Sequence, residues 1–217
     1  MSPSKVIPRF QVITDEVLQT RFSHVELARL AAEGGADAVQ YREKRPLTTR
    51  ELMAVAREMR AACEAGGVTL VVDDRADVAR SVGAPAVHLG VNDLDVATAR
   101  AILASDVIIG GTANSYDEAR RVWASGVDYL GVGPIYGTQS KANPAPTMGL
   151  EVLAHICADS PLPIIAIGSI TAARISEVMR AGPHGVAVLS EVLLADDPVA
   201  ATRRCREALD AAVGALR

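Results

Sequence analysis

Short, almost continuously apolar runs alternate with longer segments rich in Ala, Arg and Glu along the whole chain. In the longer segments the apolar residues recur at positions i, i+3, i+4 and i+7, which is the pattern of an amphipathic helix. Several of these segments end in Gly immediately before the next run, as helices commonly do. The runs themselves are typical of parallel strands that are covered on both faces. The predicted strands are residues 10–14, 38–43, 68–73, 86–90, 107–112, 129–134, 163–168 and 185–190.

Eight strand–helix units within 217 residues predict an α/β fold, a single (β/α)8 TIM barrel in one domain that spans residues 1–217. The rival is an open, doubly wound sheet. Such a sheet rarely needs eight strands and normally carries a Gly-rich phosphate-binding turn after its first strand. Here the first strand runs into ITDEVLQTRFSH, which contains no Gly. No linker or low-complexity tract divides the chain, which favours one domain.

The composition argues against several classes of protein. The formal net charge is −4 and evenly spread, and the chain has two Phe and one Trp, so a nucleic-acid-binding surface is not expected. No apolar run approaches the roughly 20 residues that span a bilayer, and MSPSKVIPRF lacks the apolar core of a signal peptide. Cys63, Cys157 and Cys205 have no metal-ligand spacing and are expected to be reduced thiols of a cytoplasmic protein. Homo-oligomerisation stays open.

Polar residues that interrupt or follow the predicted strands are the candidates for function. In a barrel of this type the active site lies at the carboxyl ends of the strands and in the loops that follow them. The candidates are Gln40, Arg42, Lys44, Asp73, Asp74, His88, Asn92, Asp93, Thr112, Asn114, Thr138, Ser140, Lys141, Gly168, Ser169 and Ser190. The set is rich in cations, hydroxyls and carboxylates, and it contains no convincing Ser/His/Asp or Cys/His pair that would form a nucleophile.

Three cations among these residues predict a site for a highly charged anion. Side chains alternate along a strand, so Gln40 and Arg42 share a face and Lys44 lies just beyond them at the rim. Lys141 belongs to the unusually long stretch GVGPIYGTQSKANPAPTMG. Connections of this length usually either have a function or are disordered. Because this one carries hydroxyls beside its single Lys, we expect an active-site lid at residues 135–147.

Carboxylates and backbone amides predict a metal site and a second anion site. Asp74 and Asp93 follow neighbouring predicted strands, and their hard oxygen atoms suit Mg²⁺, which usually takes one or two carboxylates together with phosphate oxygens. Cations and Mg²⁺ together suit a pyrophosphate. A separate phosphate is expected after strands seven and eight, where Gly168, Leu189 and Ser190 offer backbone N–H groups. Two sites predict two phosphorylated small-molecule substrates.

Structural roles are the alternative for several of these residues. The run at residues 42–44 could be a solvated series of surface ion pairs, and Asp73 and Asp74 could cap the helix that follows them. Asp93 could be a turn residue. His88 is expected to be packed and hydrogen-bonded within its strand rather than to act as a base. The common position of these residues at one end of the barrel is what favours a site.

Six motifs follow one another in a fixed order along the chain. They are QYREK (40–44), DDRADVA (73–79), HLGVND (88–93), GPIYGTQSK (133–141), AIGSIT (166–171) and VLS (188–190). This ordered set resembles that of thiamine phosphate synthases, and the resemblance covers nearly the whole chain. It implies a TIM barrel that joins 4-amino-2-methyl-5-hydroxymethylpyrimidine pyrophosphate to a thiazole phosphate with the help of Mg²⁺ and releases pyrophosphate.

Position by position, the resemblance assigns a role to each candidate. It assigns Gln40 to the pyrimidine and the catalytic cations Arg42, Lys44 and Lys141 to the pyrophosphate, with Asp73 and Thr112 close to the same group. It assigns Asp74 and Asp93 to Mg²⁺. The residues that it assigns to the thiazole phosphate are Thr138, Ser140, Gly168, Leu189 and Ser190. No strong base is expected, because the thiazole nitrogen attacks with its own lone pair. The cations instead stabilise the charge that grows on the departing pyrophosphate.

Several positions depart from the pattern of the family. Asp73 stands where the family usually has Asn, Val91 where it has Gln, Ser169 where it has Gly, and Asn114 where a His is common. Two alternatives remain. One is a thiazole tautomerase-like isomerase, from a sister family with the same barrel, but its catalytic His falls at the Asn114 position. The other is a non-catalytic paralogue that binds phosphorylated ligands.

Overall fold

The barrel predicted from the hydrophobic pattern is confirmed. A computed structural model describes residues 5–137 and 145–215, in which parallel strands close into a barrel in the order β1 to β8. The strands are β1 (Phe10–Thr14), β2 (Ala38–Tyr41), β3 (Thr69–Asp73), β4 (Ala86–Leu89), β5 (Ile108–Ala113), β6 (Tyr129–Val132), β7 (Ile164–Ile167) and β8 (Gly185–Val188). The helices are α1 (His24–Glu33), α2 (Thr49–Ala65), α3 (Ala76–Val82), α4 (Val96–Ile102), α5 (Tyr116–Trp123), α6 (Gly149–Asp159), α7 (Ala172–Arg180), α8 (Ser190–Leu193) and α9 (Pro198–Ala215).

Side chains of the barrel wall alternate between two buried layers. Those that point outward, such as Val12 and Leu130, pack against the surrounding helices in the main hydrophobic core. Those that point inward near the amino-terminal end, such as Ile108 and Tyr129, form a second core inside the barrel. Burial on both faces explains why the strands read as continuous apolar runs. It also leaves the carboxyl end of the barrel as the place where inward-facing polar residues accumulate.

Tyr129 closes the barrel interior. It is 1% exposed, and its ring lies against Gly110 on the neighbouring strand β5. A Cβ atom added at Gly110 would lie 2.2 Å from Tyr129 Cζ. Position 110 therefore has to be glycine as long as the tyrosine ring fills this space.

Ion pairs at the amino-terminal end tie the wall together. Asp128 Oδ2, immediately before β6, lies 3.0 Å from Lys5 Nζ and 2.8 Å from Arg100 Nη2. The same oxygen accepts a hydrogen bond of 2.7 Å from the backbone N–H of Ile109. In barrels of this type this end serves stability rather than chemistry. The Asp128 cluster is thus a structural feature that lies away from the carboxyl ends.

The strand ends differ slightly from those predicted. β2 ends at Tyr41, so Arg42 and Lys44 lie in the segment that follows it rather than within the strand. Helices α1, α2 and α3 are each followed directly by a Gly, as the sequence indicates. Within residues 5–137 and 145–215, no helix combines the length and apolar character needed to cross a membrane.

Candidate active site

A cavity of about 1040 Å³ lies at the carboxyl end of the barrel. The candidate residues that line it are Gln40, Arg42, Lys44, Asp73, Asp74, His88, Thr112, Asn114, Gly168, Ser169, Leu189 and Ser190. Asp93 adjoins this group through its hydrogen bond with Asp74. Thr138, Ser140 and Lys141 lie outside the described residues. Residues that are far apart in the sequence thus meet around one cavity.

Arg42 extends from the end of β2 into the cavity and is 9% exposed. Its Nη1 donates a hydrogen bond to Asp15 Oδ2, and its Nε lies 3.9 Å from Asp73 Oδ2. Because Arg42 and Asp15 are both buried, the segment after β2 is not a solvated series of surface ion pairs. Sequence reasoning missed Asp15. The available signal was a charged residue directly after the first apolar run, where the carboxyl end of β1 should lie.

Lys44 binds two carboxylates at the rim. Its Nζ donates to Asp74 Oδ2 and lies 3.4 Å from Asp73 Oδ2. Burial lowers the pKa of Lys44, but the attraction of Asp73 and Asp74 outweighs this effect and the pKa lies above its ordinary value. The ammonium group is therefore charged at neutral pH.

Asp74 and Asp93 form a hydrogen-bonded carboxyl pair. Burial raises the pKa of Asp74, but the hydrogen bonds from Lys44 and Asp93 outweigh it and hold this pKa below its ordinary value. Burial, followed by the hydrogen bond and charge of Asp74, raises the pKa of Asp93. Asp93 Oδ2 also accepts a hydrogen bond of 2.6 Å from the N–H of Gly90, so Asp93 takes part in a turn as well. Two carboxyl groups this close together offer oxygen atoms to a cation.

Asp73 lies between the two cations. Burial and the charge of Asp74 raise the pKa of Asp73 to about 7, although Lys44 and Arg42 oppose the shift. The helix-capping role is not observed for either aspartate, because α3 has Arg75 at its N-cap and no side-chain capping hydrogen bond. Asp74 instead adopts a φ of 63°, a left-handed conformation that Asp tolerates better than most residues. This conformation accompanies its contact with Lys44.

His88 is packed and hydrogen-bonded, as expected. Its Nδ1 lies 3.1 Å from the Tyr129 hydroxyl and its Nε2 lies 2.9 Å from Thr112 Oγ1. The Asn114 amide donates to Glu118 Oε2 at 3.0 Å, near the start of α5. His88 thereby links the Tyr129 ring to the Thr112 hydroxyl at the cavity wall.

The segment after β7 has an unusual backbone. Gly168 has a φ of 110°, and a Cβ atom there would lie 2.6 Å from Pro134 Cα. Ser169, which stands where the thiamine phosphate synthase pattern has Gly, also adopts a positive φ, of 49°. The Ser169 hydroxyl donates to the Gly137 carbonyl at 3.0 Å, and Arg174 Nη1 donates to the Ser169 carbonyl at 2.8 Å. These two hydrogen bonds hold the serine in a conformation that favours glycine.

The segment after β8 turns directly into the short helix α8. Leu189 is the residue before this helix, and its carbonyl accepts hydrogen bonds from the N–H groups of Val192 and Leu193. The first N–H groups of a helix have no acceptor within the helix, so those at its start can bind an anion. Leu189 and Ser190 line the same cavity as Gly168. Backbone donors of two loops can therefore surround one phosphate.

The two ends of the long connection after β6 are held close together. Met148 N–H donates to the Pro134 carbonyl at 2.8 Å, and Gly149 N–H donates to the Ile135 carbonyl at 3.1 Å. The Tyr136 hydroxyl bonds Glu177. Residues 138–144 lie outside the described part, and the predicted lid at residues 135–147 stays a prediction.

Comparisons with known proteins agree on one family. The family model described as thiamine monophosphate synthase matches residues 10–192. The chain is 45% identical to the thiamine-phosphate synthase of Salinibacter ruber, over 98% of this chain and 92% of that protein. It is 44% identical to the thiamine-phosphate synthase of Methanoculleus marisnigri, over 93% and 95% of the two chains. The solved structure of a thiamine phosphate pyrophosphorylase from Pyrococcus furiosus superimposes with a TM-score of 0.86 at 35% identity and covers 95% of this chain and 97% of that one.

Proposed function

The chain belongs to the thiamine monophosphate synthase family, and we propose that it condenses 4-amino-2-methyl-5-hydroxymethylpyrimidine pyrophosphate with a thiazole phosphate. The products are thiamine phosphate and pyrophosphate. The observation that supports this most strongly is that Arg42 and Lys44 line the same cavity as Asp74 and the loops at Gly168 and Ser190. The reaction needs one site for a pyrophosphate and another for a phosphate at a single opening, and the cavity offers both sets of groups.

The chemistry needs stabilisation of a leaving group more than it needs a base. The thiazole nitrogen forms the new bond to the pyrimidine methylene carbon with its own lone pair. The C–O bond to pyrophosphate breaks, and its electron pair leaves on the pyrophosphate. The aminopyrimidine ring supports the positive charge on the carbon. Arg42, Lys44 and Lys141 supply the positive charge that the departing group requires.

The remaining residues of the first site bind the pyrimidine half and its phosphates. Gln40 is 5% exposed and lines the cavity, where its amide can hydrogen-bond a pyrimidine ring. The Thr112 hydroxyl, held by His88, lies on the same wall and serves the pyrophosphate. Asp73 contacts both Arg42 and Lys44, and it keeps the two cations in place until the substrate arrives.

Asp74 and Asp93 fit a Mg²⁺ site. Their carboxyl groups are hydrogen-bonded to each other, and oxygen pairs of this kind suit a hard cation that completes its shell with water and phosphate oxygens. Within residues 5–137 and 145–215, no group of three or more His, Cys, Asp or Glu side chains could hold a metal ion. When bound, Mg²⁺ supplies charge neutralisation at the pyrophosphate oxygens.

Asp74→Asn is expected to raise the Mg²⁺ concentration for half-maximal activity by about tenfold or more, because one charged oxygen ligand is lost. Isothermal titration of Mg²⁺ in the presence of inorganic pyrophosphate checks the same loss without turnover. Asp77→Asn is the control, since Asp77 is an exposed carboxylate paired with Arg75. An unchanged Mg²⁺ requirement in Asp74→Asn rules out the metal role.

The thiazole phosphate is assigned to the loops after β7 and β8. Gly168, Leu189 and Ser190 would contribute mainly backbone N–H groups. The family resemblance assigns Thr138 and Ser140, which lie outside the described residues, to the same phosphate. Backbone donors at these loops are a common phosphate site in barrels of this type. The thiazole phosphate would then occupy a part of the cavity rim separate from Arg42 and Lys44, which follow β2.

We further propose that the chain works as one domain in the cytoplasm. The helices and strands from β1 to α9 belong to one closed barrel. Cys63, Cys157 and Cys205 are free thiols, which agrees with a reducing compartment.

Release of pyrophosphate tests the proposed function. The purified chain is supplied with Mg²⁺ and both substrates, and in parallel reactions one component is omitted. Stoichiometric pyrophosphate and thiamine phosphate are expected only in the complete mixture. Isomerisation of the thiazole phosphate alone would indicate a tautomerase. Binding of the pyrimidine pyrophosphate without any release would indicate a non-catalytic paralogue.

A further inference from the structure

A charged cluster that is buried at its centre and exposed at its edge lies behind the end of β2, on the face away from the cavity. It consists of Thr14, Glu16, His24, Glu43 and Arg45, and we call it the β2 cluster. The side chains of His24 and Glu43 are 0% and 2% exposed. Burial of a carboxylate beside an imidazole is costly unless each group is well hydrogen-bonded, and it is weak evidence for stability. The β2 cluster therefore calls for an explanation other than packing.

His24 connects the cluster to the barrel wall. Its Nδ1 lies 2.7 Å from Thr14 Oγ1, which itself contacts the carbonyl oxygen of Gln40 at 3.2 Å. Its Nε2 lies 3.2 Å from Glu43 Oε2. Burial lowers the pKa of His24 in spite of the nearby carboxylates.

Glu43 is bound from its other side by Arg45. The backbone N–H of Arg45 donates to Glu43 Oε1 at 2.8 Å, and the Arg45 Nε donates to the same oxygen at 3.0 Å. Arg45 Nη1 in turn lies 2.5 Å from Glu16 Oε2. Glu16 Oε1 accepts a hydrogen bond of 2.6 Å from the backbone N–H of His24. The loop after β1, the start of α1 and the segment after β2 are thus joined in one network.

Consecutive side chains after β2 alternate between the cavity and the cluster. Arg42 and Lys44 reach the cavity, whereas Glu43 and Arg45 reach the β2 cluster. The residues of β2 that pair with β1 and β3 end at Tyr41. Beyond Tyr41 the backbone has no strand pairing to hold it, and the hydrogen bonds of the buried Glu43 carboxylate with His24 and Arg45 hold it instead.

We propose that His24 and Glu43 are positioning residues that hold the segment after β2, so that Arg42 and Lys44 meet the pyrophosphate of the pyrimidine substrate. This inference rests on the proposed function. Small displacements of charged groups are costly in catalysis, because the reacting geometry tolerates little error. The hydrogen bonds and ion pairs of the cluster join the loop after β1, the start of α1 and the segment after β2, and among the described residues none of them involves Gly168 or the start of α8. Its loss should therefore affect one substrate and spare the other.

The test is His24→Leu, which removes both hydrogen bonds of the imidazole ring and replaces the ring with an apolar side chain of similar bulk. We expect the KM for the pyrimidine pyrophosphate to rise about tenfold or more, while the KM for the thiazole phosphate stays within about twofold. The dissociation constant of inorganic pyrophosphate with Mg²⁺, measured by titration, should rise in parallel. His24→Gln, whose amide can donate toward Glu43, should recover most of the loss.

Asp128→Asn is the matched control, because it weakens a partly buried ion-pair cluster at the opposite end of the barrel. It is expected to lower the melting temperature and to leave both KM values unchanged. Glu43→Gln, which is nearly isosteric, replaces His24→Leu if the latter does not fold. If the His24 and Glu43 variants lose stability but keep both KM values, or raise both KM values equally, the positioning role is wrong. A wild-type chain that binds pyrophosphate without turnover refutes the proposed function alone, and the binding measurement then still decides the role of His24.

Discussion

Lys44→Met is expected to lower kcat/KM for the condensation by about a hundred- to a thousandfold, which is the usual cost of one charge-stabilising donor, about 2.7–4 kcal/mol. Methionine has nearly the length of lysine but no charge. The ammonium group lies at the rim of the cavity beside Asp73 and Asp74, where negative charge accumulates as the pyrophosphate departs. Steady-state pyrophosphate release, with the pyrimidine pyrophosphate varied at saturating thiazole phosphate, measures the effect.

Lys5→Met is the control for this substitution. Lys5 forms the same kind of ion pair, with Asp128, but at the amino-terminal end of the barrel. It should change the melting temperature without changing kcat/KM. Equal kcat/KM values for Lys44→Met and the wild type would remove Lys44 from the catalytic groups.

Gly168→Ala is expected to lower the free energy of unfolding by about 3 kcal/mol, from a strained positive φ together with overpacking. A Cβ atom at Gly168 would lie 2.6 Å from Pro134 Cα and 2.8 Å from Ile135 N. Both are main-chain atoms, so the backbone of the segment after β6 would have to move. For a chain of this length the melting temperature should fall by about 6–12 °C. The KM for the thiazole phosphate should rise, because the displaced loop carries its proposed phosphate donors.

Gly214→Ala provides the comparison. Gly214 lies in α9, and a Cβ atom there would meet nothing within 4 Å. Since alanine is the better helix former, the melting temperature should stay the same or rise slightly. A Gly168→Ala variant that melts like the wild type would show that the backbone after β7 relaxes freely.

The fold could be predicted from the sequence because both faces of each barrel strand are buried. The run FQVIT shows no alternation, since Val12 faces the helices and Ile13 faces the barrel interior. The end of β2 could not be predicted so well. After Tyr41 the backbone is held by side-chain contacts of Arg42 and Glu43 rather than by strand pairing. Local strand propensity cannot predict such contacts.

The candidate site was only partly accessible from the sequence. Arg42, Lys44 and Asp74 could be grouped because parallel strands bring their carboxyl ends to one rim. Asp15, directly after β1, could have been added by the same rule. His24 could not, since it lies in helix α1 and its partner Glu43 is 19 residues away along the chain. Contacts at such separation depend on strand register and helix docking, which a single sequence does not specify.

Tyr129, packed against Gly110, fills the barrel beneath the cavity and forms part of the cavity floor. On the proposed function, substrates and products would therefore enter and leave through the same opening, at the carboxyl end of the barrel. On the proposed function, we therefore expect the substrate that is seated next to the tyrosine to bind before its partner, in a fixed order that steady-state kinetics can measure.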